Sequence, residues 1–576
     1  MLKLTGYLKP YTFSIIIIIS FMLAMAITEL TLPLILADMI NNGMMRGDSA
    51  YVIQKGGFML LVAVASSACS IVGTYVSAKV ALGVGRDLRF DIFTRVSSYS
   101  LEEFDKIGTA SLITRSTNDV TQVQMSVVMI FRFFIYSPLV CIGGIIMALS
   151  VDTELTKILL VVLPVMLLLI VLVAKYIIPL FKKMQENIDR LTLVLRENLS
   201  GVRVIRAFNR GEYEKERFGG ANKDLTGLAI RVNRIMAFMQ PVVMLFMNAT
   251  ALSIVWFGGI RVSKGDIEIG DMMAFLQYAM LIMFSIIMVT MMFVMIPRAE
   301  ASAARINEAL SLKETIKDTG VTLSAETKGT VEFRNVTFRY SGAEQPALMD
   351  ISFTANAGET TAIIGGTGAG KSTLVNLIAR FYDVESGRVL VDSVDVREQP
   401  VNYLREKLGF VTQSAVMFSG TVADNIRYGK DGATQEEIRQ AAVTAQADTF
   451  IMEMEGGYDH LISQGGTNLS GGQKQRISIA RALLRKPEIY IFDDCFSALD
   501  FKTDSMLRAA LSKEAAESTK IIIAQRISTV MDADKIIVLT DGEIAGTGTH
   551  KELLKTCGVY REIAETQLPA EELFNG

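Results

Sequence analysis

The chain has 576 residues, half of them hydrophobic, with 57 Lys and Arg against 60 Asp and Glu. A formal net charge of −3 gives no support to nucleic acid as a partner. The length allows several domains, and four cysteines divided between apolar and polar regions make no disulfide framework.

The long apolar runs fall in residues 1–300. Six of them reach the roughly 20 residues that a helix needs to cross a bilayer: 13–37, 56–80, 127–149, 157–178, 240–258 and 272–296. The first is too long for a cleaved leader and lacks a small-residue cleavage site, so it stays in the membrane. With the N-terminus in the cytoplasm, the connections 81–126 and 179–239 carry five and twelve Lys and Arg. The opposite loops 38–55, 150–156 and 259–271 carry two, none and two, which satisfies the positive-inside bias. An even number of spans returns the polar half to the cytoplasm.

Between the spans, residues 182–235 keep helical spacing and read as extensions of membrane helices, with a turn at Ser200-Gly201. Residues 108–120 read as a serine-rich break before another helix. Glu29 and Lys175 are ionisable groups inside spans. A lumen-facing role is the default for such residues, and packing or snorkelling is the plainer one. The last span holds eight methionines, which suits either ordinary packing or a deformable apolar binding surface.

The polar half carries the chemistry. Residues 331–340 alternate as a strand, and Thr360–Ile364 is a short apolar strand leading into Gly365, Gly366, Thr367, Gly368, Ala369, Gly370, Lys371, Ser372 and Thr373. Strand, glycine loop and helix in that order form a phosphate-binding loop for ATP, whose backbone N–H groups and helix N-terminus cradle phosphate. Lys371 then reaches the β- and γ-phosphates, and Ser372 coordinates Mg²⁺. A second core strand at 489–492 delivers Asp493 to that metal. Gln413 stands beyond another strand end, placed for the metal or its water. Ser470, Gly471, Gly472 and Gln473 open a helix and form a second anion-binding turn, suited to ATP held by another chain. A plain helix cap is the other reading.

Asp494 occupies the place of the carboxylate that must reach the attacking water. Aspartate is one methylene shorter than glutamate and retracts the base by about 1.5 Å, where about 1 Å can cost roughly a hundredfold in rate. Such a site holds ATP well and hydrolyses it poorly.

These motifs resemble those of an ABC exporter half-transporter, six membrane helices fused to one ATPase domain. The resemblance implies an all-α transmembrane domain over 1–310, a linker over 311–328, an α/β P-loop ATPase domain of ABC type over 329–568 and a tail over 569–576. It implies that Tyr340 stacks on adenine and that residues 469–473 are the signature facing a partner's ATP. It also implies that Gln413 is the Q-loop glutamine, Asp493 the Walker B aspartate and residues 497–500 the D-loop. Residues near 108–119 and 196–208 resemble the segments around the coupling helices.

Two departures stand out: Asp494 for the family's catalytic glutamate, and Gln525 for its switch histidine. From them we expect the degenerate-site subunit of a heterodimeric multidrug exporter in a bacterial plasma membrane. Its partner is then a homologous half-transporter with an intact glutamate and histidine, and its substrate a hydrophobic or amphipathic small molecule. Hydrolysis falls mainly at the partner-backed site. A homodimeric lipid or peptide exporter and a non-transporting ATP-binding regulator are the alternatives, and an importer fits least.

Overall fold

A computed structural model describes residues 2–312, 314–318 and 328–569. Most of the 311–328 linker and nearly all of the 569–576 tail therefore lie outside the described residues, as do the side chains of 290–295, which include three of the last span's methionines. The chain divides into two compact units, Met1–Ser97 with Thr109–Leu312, and Ser98–Gly108 with Lys313–Gly576.

The first unit is all helix. Six of its helices are long and apolar enough to cross a membrane: α1 (Leu4–Met44), α2 (Ser49–Ser97), α4 (Thr109–Val151), α5 (Thr153–Ser200), α7 (Gly211–Lys264) and the first part of α8 (Ile269–Ser311). At 1.5 Å per residue, the 48 residues of α5 and 54 of α7 extend about 70–80 Å, well beyond a hydrocarbon core of about 30 Å. The connections therefore continue the spanning helices, and the turn after Ser200 is made by Gly201, followed by the short helix α6 (Val202–Ala207). The break near residue 108 is narrower than the serine content suggested. Helix α3 (Leu101–Ile107) stops at Gly108, whose φ is +80°, and helix resumes at Thr109.

Leu88, Ile92, Val120 and Ile306 pack one end of this unit. Leu30, Leu155, Ile254, Phe275 and Tyr278 pack the other. Leu60, Leu160 and Trp256 face outward, each more than 60% exposed. Lipid-facing spans have no need to hide such residues. Helix α4 contains two π-helical stretches, Arg115–Asp119 and Ile130–Tyr136.

The second unit is α/β. Strands β1 (Val331–Phe338), β2 (Leu348–Ala355), β4 (Ser386–Val391) and β5 (Val394–Asp395) form an antiparallel sheet in the order β2-β1-β4-β5. The core sheet takes β3 (Thr360–Gly365), β6 (Leu408–Val411), β9 (Ile489–Asp493), β10 (Thr519–Ile523), β11 (Lys535–Thr540) and β12 (Glu543–Gly548). A minor pair, β7 (Gly420–Thr421) and β8 (Leu461–Ile462), stands apart from both. The core order is β12-β11-β3-β10-β9-β6, and every neighbour except the edge strand β12 is parallel. Strands β9 and β10 are buried along their whole length, as strands covered on both faces should be.

Candidate ATP site

Parallel register gathers the site. Ile523 of β10 lies beside Asp493 of β9, and Val411 of β6 beside Phe492. Gln525, Asp494 and Gln413 thus follow the carboxyl ends of three adjacent strands, the edge where open α/β sheets bind ligands. The glycine loop leaves the same edge from β3 and runs into helix α9 (Lys371–Ile378).

Gly365 and Gly366 serve different purposes. A Cβ on Gly365 would lie 2.1 Å from the Leu539 carbonyl oxygen, whereas one on Gly366 meets nothing within 4 Å. Gly365 permits the strand to pack, and Gly366 leaves room for a ligand. Gly365→Ala should destabilise the ATPase unit by about 1–3 kcal/mol, the usual cost of overpacking. Gly366→Ala should leave the urea midpoint unchanged and weaken ATP binding. Equal melting of the two variants would remove this distinction.

Lys371 is buried, and its Nζ donates to the carbonyls of Gly365 (2.8 Å) and Gly366 (2.7 Å), holding the loop around the ammonium. Burial lowers its pKa, and the charges of Asp494 and Asp493 oppose that shift. Ser372 Oγ donates to Asp493 Oδ1 at 3.0 Å, so the two oxygens expected at the metal already adjoin. Burial raises the pKa of both aspartates from the ordinary value, and hydrogen bonds and the charge of Lys371 oppose that rise.

Asp494 is the most constrained of these residues. Its φ is +47°, in the left-handed region that Asp and Asn tolerate best among residues with a side chain. Its N–H donates to Ile523 O at 3.0 Å, and its own carbonyl accepts from Ser497 Oγ at 2.9 Å. Oδ2 accepts from both glutamines, Gln413 Nε2 at 3.1 Å and Gln525 Nε2 at 2.8 Å. The two departures from the family pattern thus form one hydrogen-bonded pair.

The turn at Ser470–Gln473 caps helix α10 (Gly471–Arg485). Ser470 Oγ accepts from Gln473 N at 3.3 Å, and Gln473 Oε1 accepts from Ser470 N at 2.8 Å. It makes no hydrogen bond to the glycine loop among the described residues. Gly471 is open, with nothing within 4 Å of a built Cβ.

Tyr340 keeps 37% of its surface exposed, while its hydroxyl lies 2.9 Å from Thr373 Oγ1. Sequence reasoning missed its neighbour, Tyr382, whose ring meets Tyr340 edge-on at 5.4 Å. The Tyr382 hydroxyl donates to Asp105 of α3 at 3.1 Å, across 277 residues of sequence. No local pattern marks such a contact.

Comparison with known proteins gives this site its family. Residues 15–286 match the model of the ABC transporter transmembrane region, and residues 348–497 match the ABC transporter model. An uncharacterized ABC transporter ATP-binding protein of Mycobacterium tuberculosis is 41% identical over 98% of this chain and 97% of its own. The chain belongs to the ABC transporters. An ATP-dependent lipid A-core flippase of Thiobacillus denitrificans is 33% identical over 98% of both chains. The solved structure of a bacterial Atm1-family ABC exporter with ATP bound is 25% identical, with a TM-score of 0.81, over 97% of this chain and 99% of that one.

This ABC transporter is therefore an ATP-binding, ATP-dependent translocase, a multi-pass protein of the bacterial plasma membrane with its ATPase domain on the cytoplasmic side. The expected fold class holds: an all-α six-span domain fused to an α/β P-loop ABC ATPase domain. The heterodimer expectation does not. Likeness to a lipid A-core flippase and an Atm1-family exporter overturns the reading as degenerate-site subunit of a multidrug exporter. The distinct partner with intact glutamate and histidine, and hydrolysis mainly at a partner-backed site, fall with it. The physical error lay in treating Asp494 and Gln525 as a deficit for another chain to repair. Bonded to each other, they can stand equally in both sites of a symmetric pair.

Proposed function

We propose that this chain works as a homodimeric, ATP-driven exporter of lipid or a similar amphipathic compound. The supporting observation is its end-to-end likeness to the lipid A-core flippase, alongside the full set of ATP-handling motifs in one chain. In this reading two copies meet head to tail. Tyr340 stacks on adenine, the loop Gly365–Thr373 wraps the phosphates, and Lys371 moves from its loop carbonyls to the β- and γ-phosphates. Ser470, Gly471, Gly472 and Gln473 of each copy face the nucleotide of the other.

Mg²⁺ suits oxygen ligands, and Ser372, Asp493 and Gln413 supply them; the ion when bound neutralises phosphate charge. Asp494 accepts the proton of the attacking water, and Gln413 and Gln525 fix its carboxylate. ATP favours closure of the pair because the closed state binds it better, and phosphate release allows reopening.

The decisive experiment reconstitutes the single purified chain. Two copies per particle by light scattering, ATP turnover, and ATP-dependent movement of a fluorescent phospholipid across the vesicle wall all support the proposal. A particle that needs a second gene product for turnover overturns it. Gly471→Ala sharpens the test. The added methyl meets nothing within its own chain, so stability should not change. Turnover should drop at least ~10-fold if another copy's phosphate must come against that turn. Unchanged turnover would leave the turn as a helix cap alone.

A further inference from the structure

Glu29 lies within the membrane-spanning part of α1, and the ATP chemistry makes no use of it. Its carboxylate accepts the hydroxyl of Tyr136 from α4. No Lys or Arg pairs with it among the described residues. Thr28 and Thr31 flank it, but their hydroxyls donate to carbonyls of their own helix, Thr28 to Ala24 and Met25 and Thr31 to Ile27. A carboxylate in hydrocarbon is costly and marks function by default.

The backbone adds a second acceptor. Pro33 stands four residues on and has no N–H, so the ordinary helical bond to the Glu29 carbonyl cannot form. The next carbonyl, Leu30 O, accepts the hydroxyl of the fully buried Tyr278 of α8 at 2.7 Å. The helix carrying Glu29 is also closely packed. A Cβ on Gly143 of α4 would fall 2.4 Å from the Leu30 side chain, and one on Gly144 2.8 Å from Ile282 of α8. Two turns before Gly143, α4 widens into its π-helical stretch Ile130–Tyr136, which ends on the tyrosine that meets Glu29. Such widened turns recur at functional sites.

Two oxygens from different helices therefore meet in an apolar bundle, the Glu29 carboxylate and the Tyr136 phenol, and the backbone carbonyl of the same glutamate lacks its usual helical donor at Pro33. The phenol donates its proton to the carboxylate and keeps lone pairs to accept another. No group of three His, Cys, Asp or Glu that could hold a metal occurs among the described residues. A carboxylate beside a phenol oxygen matches an alkylammonium, which offers one positive charge and three N–H donors. We propose that this site binds the ammonium group of an amphipathic amine, with the apolar tail lying along the spanning helices. The proposal rests on the exporter reading and narrows its substrate class.

The test uses the full chain in lipid nanodiscs and three probes with the same tail: dodecylammonium, dodecyltrimethylammonium and dodecanol. Wild type should bind dodecylammonium most tightly. Glu29→Gln should weaken that binding about tenfold or more, as loss of a charge-assisted hydrogen bond predicts, and leave dodecanol unchanged. Dodecyltrimethylammonium keeps the charge without N–H groups and should fall between. Tyr136→Phe and Pro33→Ala should each cost about threefold for dodecylammonium alone, and they carry the test if Glu29→Gln does not assemble. Equal weakening of all three probes means a structural role and overturns the proposal. Dodecylammonium binding unchanged by Glu29→Gln, as for a residue that only carries a proton or packs, overturns it too. Translocation of a fluorescent phospholipid by wild type is read separately: if it persists while ammonium selectivity is missing, only this site is refuted. If it is absent, the exporter reading fails on its own.

Discussion

Asp494→Asn is expected to reduce ATP turnover of the purified chain by at least ~100-fold, the scale of losing a positioned general base, with ATP binding retained. The substitution is nearly isosteric, and asparagine accepts the φ of +47° as aspartate does. Its amide oxygen can still take the bonds from Gln413 and Gln525, so the fold around it should persist. The pH profile makes the assignment specific. Burial raises the Asp494 pKa, and the base works only when ionised. The rate kcat/KM should therefore fall as pH drops through that raised value, higher than a solvent-exposed aspartate would allow. The Gln525 amide does not titrate, so no second limb is expected from the switch position. Gln525→His should add one near ~6.5, the ordinary histidine value. Turnover within about twofold of wild type in Asp494→Asn would show that another group takes the proton.

Lys371→Ala is expected to abolish transport and bring turnover below ~1% of wild type, since a lost phosphate-clamping charge costs about as much as a lost oxyanion donor. ATP affinity should weaken too, and here the two variants part: Asp494→Asn holds nucleotide, whereas Lys371→Ala lets it go. The ammonium also bonds two loop carbonyls, so its removal should loosen residues 365–370. Faster amide exchange confined to that segment would register this. Turnover preserved in Lys371→Ala would mean that the loop binds phosphate through backbone alone.

Much of this was legible because its causes are local. Apolar runs of spanning length, a strand ending in Gly365, and Ser470 with Gln473 three residues on each dictate structure within a few residues. The gathering of Gln413, Asp494 and Gln525 was half legible. Gln413 and Asp494 each stood after an apolar strand and Gln525 was marked by the family resemblance, but strand order is set by long-range packing, and only the order β10-β9-β6 makes the three neighbours. Tyr382 was invisible, since its partner Asp105 lies 277 residues away. The oligomer was misread for a different reason. A composite site is shared between chains, and a substitution in one chain carries no mark of how many copies contribute it.

Helix α3 has a consequence for how the protein is made. It lies in sequence between two spanning helices, yet Ser98–Gly108 belongs to the ATPase unit, with Glu103 accepting from Thr315 N at 2.7 Å and Asp105 from Tyr382. The ribosome releases it about 220 residues before β1, which at roughly 5–20 residues per second is about 10–45 s of synthesis. Through that interval the segment waits without its partners. The segment that meets Thr315 and Tyr382 is thus encoded apart from the contiguous ATPase stretch, and a fragment beginning near residue 328 lacks the Tyr382–Asp105 contact. The contacts of α3 with Thr315 and Tyr382 can therefore form only after the first two spans have been made.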